Sequence, residues 1–566
     1  MSDFINTIDL LGDEVVTASI VDRSITIFND DLISSVGNYA FYLCSKLISL
    51  DLPNAMYIGN YAFERCTSLA SVNMPNVKSI QSYSFDGCST LTNINMPNVE
   101  ILYGYVFQDC TSLASIELPN LTRMDSSNFK NCSALASVDI PNVAKIRDSQ
   151  FYDCVSLSDI NCPKVTEISS SAFRNCSALT NINISNVTKI GESAFRGCTS
   201  LESIDLPNIT AISDYTFSDC SALKSVDLPN LTTAYKGAFQ NCSSLLNVSF
   251  PNLTLLQQSS FEKCSALQSV DLPKLETVED STFSNCTSLT SVNLPNVKTV
   301  GTSVFYKCNS LASVSFPNAE TIGPSTFYGC TALTSVDLPL ATTISSDAFY
   351  GCTALTSVDL PSATSIGDFT FYGCTALTSV DLPLATRIGS NMFSRCKVLT
   401  SVDLPLVTTI GSSAFSSCEA LTSVNLPSAT SIDGYAFSYC KALTSVDLPS
   451  ATSIGSSAFY NCTALTSVDL PSATSIGNFA FHICTALTSI DLPSATTIGS
   501  ETFHSCTALT SVRLPGVPPT LDNTNAFQSV PTTCVFYIPR GSLAAYQSAT
   551  NWSSLTSQYT FTEEDR

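Results

Sequence analysis

Histidine is almost missing from this chain: two occur in 566 residues, alongside a single tryptophan. Proton shuttling leans on imidazole, and neither His482 nor His504 has a plausible nucleophile beside it, so an enzyme is not expected. Basic residues are scarce too, with 25 Lys and Arg against 47 Asp and Glu and a formal charge of -22. That surface repels phosphates and anionic lipid, which argues against nucleic acid and leaves cationic partners or metal ions as the natural ligands. No apolar run approaches the roughly 18 residues of a membrane span, so no membrane insertion is expected. The opening MSDFINTIDLLGDEVV lacks a basic segment followed by an apolar one, so no Sec-type leader is expected. Glycine-rich phosphate loops and CxxC or Cys/His metal spacings are missing as well. Neither a cofactor nor a metal site is expected.

What is present is periodic. Cysteines fall at 44, 66, 88, 110 and onward to 506, every 22 residues without insertion or deletion; only Cys162 and Cys534 of the 24 lie outside that ladder. With each ladder cysteine as zero, Leu stands at +3 throughout (Leu47, Leu355, Leu509) and Val, Ile or Leu at +6 (Leu50, Val358). An apolar residue stands at +8 (Leu52, Leu360), Pro at +9 except at Ser185, and Phe at +19 (Phe41, Phe371, Phe503). Ile or a near relative is usual at +14, with Ala234 a departure. The string CTALTSVDLP recurs unchanged from Cys330, Cys352, Cys374 and Cys462. Alternation at +6 and +8 puts Val358 and Leu360 on one strand face and Ser357 and Asp359 on the other. Proline then ends the strand, having no N–H for a ladder. The spacing from Ile366 through Phe371 to Cys374 suits a tight helical or 3₁₀ turn better than a second long strand. One such repeat cannot enclose its own apolar residues, so neighbours must stack and bury them as a column.

The pattern CxxLxxVxLPxxxxxIGxxAFxx resembles the BspA-type (Treponema-type) leucine-rich repeat of bacterial and protozoan surface proteins, over residues 33–515. The family repeat is commonly one residue longer between Pro and Ile. The resemblance implies a leucine-rich-repeat solenoid with a parallel β-sheet on the concave face, short turns or 3₁₀ turns on the convex face, and caps at both ends. Residues 1–32 are the expected N-terminal cap, with strands in 15–28 on either side of Asp22-Arg23, and residues 516–566 the C-terminal cap. In the latter, 535–539 reads as a strand, 541–552 as a short helix opened by Ser542, and 557–562 as a last strand. Repeats before about 310 vary and often carry Asn at +10, while later ones are nearly identical; recent duplication explains this more simply than a domain boundary.

Three side-chain sets are candidates for chemistry. The ladder cysteines read as a buried column of small side chains, and so many thiols point to assembly under reducing conditions. Asp337, Asp359, Asp381 and Asp403, then Asp447, Asp469 and Asp491, stand at +7 on the solvent face of the strand. They read either as a solvated acidic ladder or as a site for a cation or basic partner. Arg513 ends this ladder as an edge charge. Tyr306, Tyr328, Tyr350 and Tyr372 follow the core Phe in four successive repeats. They form either an exposed stripe for protein or sugar or a simple packing of rings. His482 and His504 share that position, where two stacked imidazoles without a third ligand are best explained by repeat duplication. The function expected from the resemblance is non-enzymatic recognition or adhesion, binding a protein or glycan at a cell surface. The alternative is a structural or host-recognition part of a phage tail or similar particle, assembled in the cytoplasm and needing no leader. The oligomeric state is not specified by the sequence.

Overall fold

The computed structural model describes residues 15–16 and 23–565. The chain divides into two compact units, Met1–Leu275 and Glu276–Arg566, and each is a parallel β-solenoid of the leucine-rich-repeat type.

A rung begins with a three-residue strand at +5 to +7. In Ser357–Asp359 the pattern is exposed, buried, exposed, with Val358 facing the core. Successive strands pair parallel in a 22-residue register, Val358 with Val380 and Asp359 with Asp381. Because the register equals the repeat, like residues always stand beside like.

A second ladder, which the spacing did not reveal, forms at +13 and +14. There Ile344 pairs with Ile366 between two-residue strands. The turn that follows is tight, as expected, but it is not a continuous 3₁₀ helix. The N–H groups of Tyr372 and Cys374 donate within the rung, to the carbonyls of Phe369 and Phe371. Those of Phe369, Phe371 and Gly373 donate to Ser390, Met392 and Ser394 on the next rung, each at 2.9 Å. Left-handed backbone at Phe369 (φ 59°) and Gly373 (φ 70°) turns alternate amides outward to make this possible. The turn is thereby a third rung-to-rung ladder, and its buried amides are satisfied.

The core of each unit is a column of Leu, Val, Ile and Phe. Phe rings stack at 5.6 Å between Phe107 and Phe129, and at 5.4 Å between Phe349 and Phe371. All the cysteines are free and buried. A ladder thiol has a defined task. The Phe371 carbonyl accepts from the Cys374 amide and also from the Cys396 Sγ of the next rung, at 3.2 Å. Sulfur thus serves the second lone pair of a buried oxygen while filling the space of a small apolar side chain.

At the N-terminal end, Val15–Val16 pairs with Ser35–Val36 and Ile27–Asn29 with Ser49–Asp51. The two strands join different ladders. Residues 17–22, including the expected Asp22 pivot, lie outside the described residues, as do residues 1–14. At the other end, strand Val535–Pro539 extends the first ladder from Ser511–Arg513 and pairs in parallel with Thr560–Glu564. Between them lie two helices where one was expected, α1 (Leu543–Ser548) and α2 (Trp552–Gln558). Asn551, at φ 66°, breaks the run, so Trp552 opens α2. Its buried indole N–H donates to the Pro519 carbonyl at 2.7 Å.

Candidate recognition surface

All seven predicted aspartates are exposed on the first ladder of Glu276–Arg566. Strand register places Asp337 beside Asp359, Asp381 and Asp403 in turn, then Asn425, Asp447, Asp469 and Asp491. Adjacent strands stand about 4.8 Å apart, so these carboxylates repel. Some are relieved. Ser315 donates to Asp337 at 2.7 Å and Asn425 to Asp403 at 2.9 Å. No hydrogen bond or ion pair reaches the carboxylates of Asp359, Asp381, Asp447 or Asp469 from any described residue. Arg513 stands in register with Asp491, yet its guanidinium lies 3.3 Å from Glu564 and over the Tyr537 ring. A shallow trough of 370 Å³, lined by Ser291, Ser313, Ser335 and Asp337, opens at the start of this carboxylate run.

The same face of Met1–Leu275 mixes Asp and Asn at +7, with Glu at Glu117. There a trough of 610 Å³ is lined by Asp51, Asn73, Asn95 and Glu117. Its amides are chained: Asn73 donates to Asp51 and Asn95 to Asn73, each at 2.7 Å. Here Asp51, Asn73 and Asn95 are linked to one another, whereas Glu117 stands beside Asp139 and, further along, Asp205 beside Asp227.

The tyrosine stripe is a packed row of rings. Tyr306, Tyr328, Tyr350 and Tyr372 are half-buried, and their rings stack at 4.9, 4.5 and 4.6 Å. Lys307 lies against the ring of Tyr306 and Arg395 against that of Tyr372, closing the row at both ends. The ring faces are spent on one another because the rungs are about a ring-stacking distance apart, so a ligand would meet only edges and hydroxyls. Burial, then the neighbouring Tyr372 and Tyr328, hold the Tyr350 phenol above its usual range. A second row escaped notice, although its 22-residue spacing was visible. Tyr39, Tyr61, Tyr83 and Tyr105 stand two residues before the core Phe and stack at 4.8, 5.0 and 4.6 Å. Aspartate ladder and tyrosine stripe occupy different segments of the rung, and no hydrogen bond or ring contact joins them among the described residues.

The thiols are chemically quiet. Burial pushes Cys374 up to about 12, and the others shift the same way from the same cause where a shift is resolved.

The histidines gain a neighbour that spacing within one repeat did not suggest. Their rings stack at 4.6 Å, and Glu501 Oε2 lies 3.7 Å from His482 Nδ1. One nitrogen of each histidine and one Glu501 oxygen lie within 4.8 Å of one another. Among the described residues no well-formed hydrogen bond reaches the buried His482 Nδ1, although the Glu501 backbone lies beside the ring. Burial, then His504, lower the His482 pKa. Ser505 does stand beside His504, with its Oγ 2.9 Å from Nδ1, so a hydroxyl neighbours one imidazole after all.

The BspA type leucine-rich repeat model matches residues 34–158, 144–268, 254–362, 320–444 and 408–534. Among solved structures, a leucine-rich repeat protein from Bacteroides ovatus is 23% identical over 66% of this chain and 82% of its own, with TM-score 0.33. The T. pallidum leucine-rich repeat protein is 26% identical over 29% of this chain and 82% of its own, with TM-score 0.28. A leucine-rich cell surface protein from Faecalibacterium prausnitzii is 21% identical over 81% of this chain and 91% of its own, with TM-score 0.26. No curated protein matches the chain.

Proposed function

The chain belongs to the BspA-type leucine-rich-repeat family, and from that premise we propose that it is a non-enzymatic recognition scaffold whose first-ladder face binds a macromolecular partner at a cell or particle surface. The observation that carries this reading is the set of exposed carboxylates at Asp359, Asp381, Asp447 and Asp469, in register and without hydrogen-bond or ion-pair partners among the described residues. A fold that needed only solubility could alternate them with amides, as Asp51, Asn73 and Asn95 do. A protein segment bearing Lys or Arg at matching intervals relieves the repulsion; a glycan uses the same oxygens with the flanking Ser hydroxyls. Residues 516–566 act as the cap of this scaffold in the proposal, with Trp552, Tyr546 and Phe536 covering its last rung. Among the described residues no helix is long and apolar enough to cross a membrane.

The test is a binding screen of the full chain against immobilised matrix proteins, glycans and bacterial surface polymers, followed by Asp359→Lys with Asp381→Lys. The pair should abolish the interaction found and leave thermal unfolding near that of the parent. Undiminished binding by the double variant contradicts the assignment of this face.

A further inference from the structure

We propose that His482, Glu501 and His504 form a binding site for a divalent first-row transition ion. The residues come from two rungs. His482 closes the turn of one, while Glu501 and His504 stand three apart in the turn of the next, where His504 N–H donates to the Glu501 carbonyl at 3.2 Å. Left-handed backbone at Glu501 (φ 54°) and at Ile483 and Ser505 (φ 61° and 62°) fixes these turns. The three donors therefore hang from hydrogen-bonded backbone and not from a loose loop.

The donor set suits the ion. Two imidazoles and a carboxylate are the ligands that zinc, copper and nickel accept, and a three-donor set leaves a coordination position open. Their separation is close to what an ion needs. Donors bound at zinc distances stand about 3.3 Å apart in a tetrahedral site, and here all lie within 4.8 Å. Rotations of the three side chains close that gap, tilting the rings out of their near-parallel stack of 6°.

Two further observations point to a ligand. Among the described residues the buried His482 Nδ1 has no well-formed hydrogen bond, only Glu501 beside it, although a polar atom so placed is ordinarily satisfied. Glu501 Oε2, at 3.7 Å, is too far for a hydrogen bond yet aimed at the same space. Moreover, Ser505 Oγ lies 2.9 Å from His504 Nδ1. If that nitrogen donates, Nε2 carries the free lone pair, as when an outer hydroxyl or carbonyl orients a metal-bound histidine. Tyr460 and Phe479 pack on His482 at 5.2 and 5.6 Å and limit its swing.

Zn²⁺ alone is the probe, added to the full chain in thiol-free buffer with ¹⁵N-labelled histidine. The chain holds two histidines, so each imidazole is read separately. Both should shift in step and saturate at one equivalent. Glu501→Gln should weaken binding by about tenfold or more, and His482→Phe, which keeps a ring in the stack, should abolish it. Imidazole signals unmoved at ten equivalents overturn the site, as does movement of only one of them. Zinc uptake that ignores both histidines, as at thiols, also overturns it, and so does a Glu501→Gln chain that binds as tightly as the parent. Should a variant fail to fold, the parent titration alone decides.

Discussion

In Met1–Leu275 and in Glu276–Arg566 one rung design carries two different surfaces. The earlier unit neutralises part of its first-ladder face by chaining Asp51, Asn73 and Asn95 and by letting Asn161 donate to Asp139, while Asp205 beside Asp227 is its one adjacent aspartate pair among the described residues. The later unit runs Asp337 through Asp403 with no amide between them. At +10 the earlier unit places Asn76 and Asn98 on the carbonyls of Pro53 and Pro75, whereas Leu340, Leu384 and Leu406 are exposed in the later one. The stacked tyrosines also change place, from two residues before the core Phe (Tyr61, Tyr83) to one after it (Tyr328, Tyr350). Meanwhile Leu, Phe and Cys do not vary in either unit. Positions whose side chains touch the next rung's core are held by packing; those facing solvent are free to be re-used.

The comparison breaks most visibly if the cores are not equivalent. Phe129→Ala and Phe371→Ala should each destabilise their own unit by about 3–5 kcal/mol. Urea unfolding followed by hydrogen exchange checks this, and a silent substitution in either unit ends the claim of a shared core. A smaller effect belongs to Asp86, one residue after the core Phe, the position that carries Tyr306, Tyr328, Tyr350 and Tyr372 in the later unit. Burial first, then Asp109, raises its pKa from 3.8 to about 6. The folded form keeps its proton to higher pH than the unfolded chain, so Asp86 favours folding at low pH. That contribution is lost as pH rises through about 6. Asp86→Asn should therefore gain stability over the parent at pH 7 and little at pH 4; equal differences at the two pH values contradict this. The smallest effects come from exchanging the ladders. Asn73→Asp should destabilise and Asp381→Asn should stabilise, each by about 0.2–1 kcal/mol. Urea midpoints moving in the same direction would erase the contrast between the units.

Much of this was legible beforehand because a solenoid repeats its core. Leu355, Val358, Leu360 and Phe371 announce the first strand and the column at a glance, and Pro361 announces where the strand stops. The second ladder was not legible, since a two-residue strand such as Ser365–Ile366 has no alternation to read. The third ladder left a faint trace: Asn131, Asp153, Asn175 and Gly197, each just before a ladder cysteine, are residue types that tolerate positive φ. Ile483 at φ 61° hid the rule in later repeats. Glu501 was missed because its closeness to His482 crosses from one rung to the next, where a motif search within one repeat does not look. The tyrosine stripe was open to two readings because sequence gives the spacing of rings and not which way their faces turn.

Carbodiimide labelling of carboxylates, on the full chain with and without N-acetylated, C-amidated pentaarginine at low salt, tests the recognition face most directly. The account predicts protection at Asp359, Asp381, Asp447 and Asp469, reversed by added salt, with Asp51 labelled as before. Protection confined to Asp51 and Glu117, or none anywhere on the ladder, would contradict it.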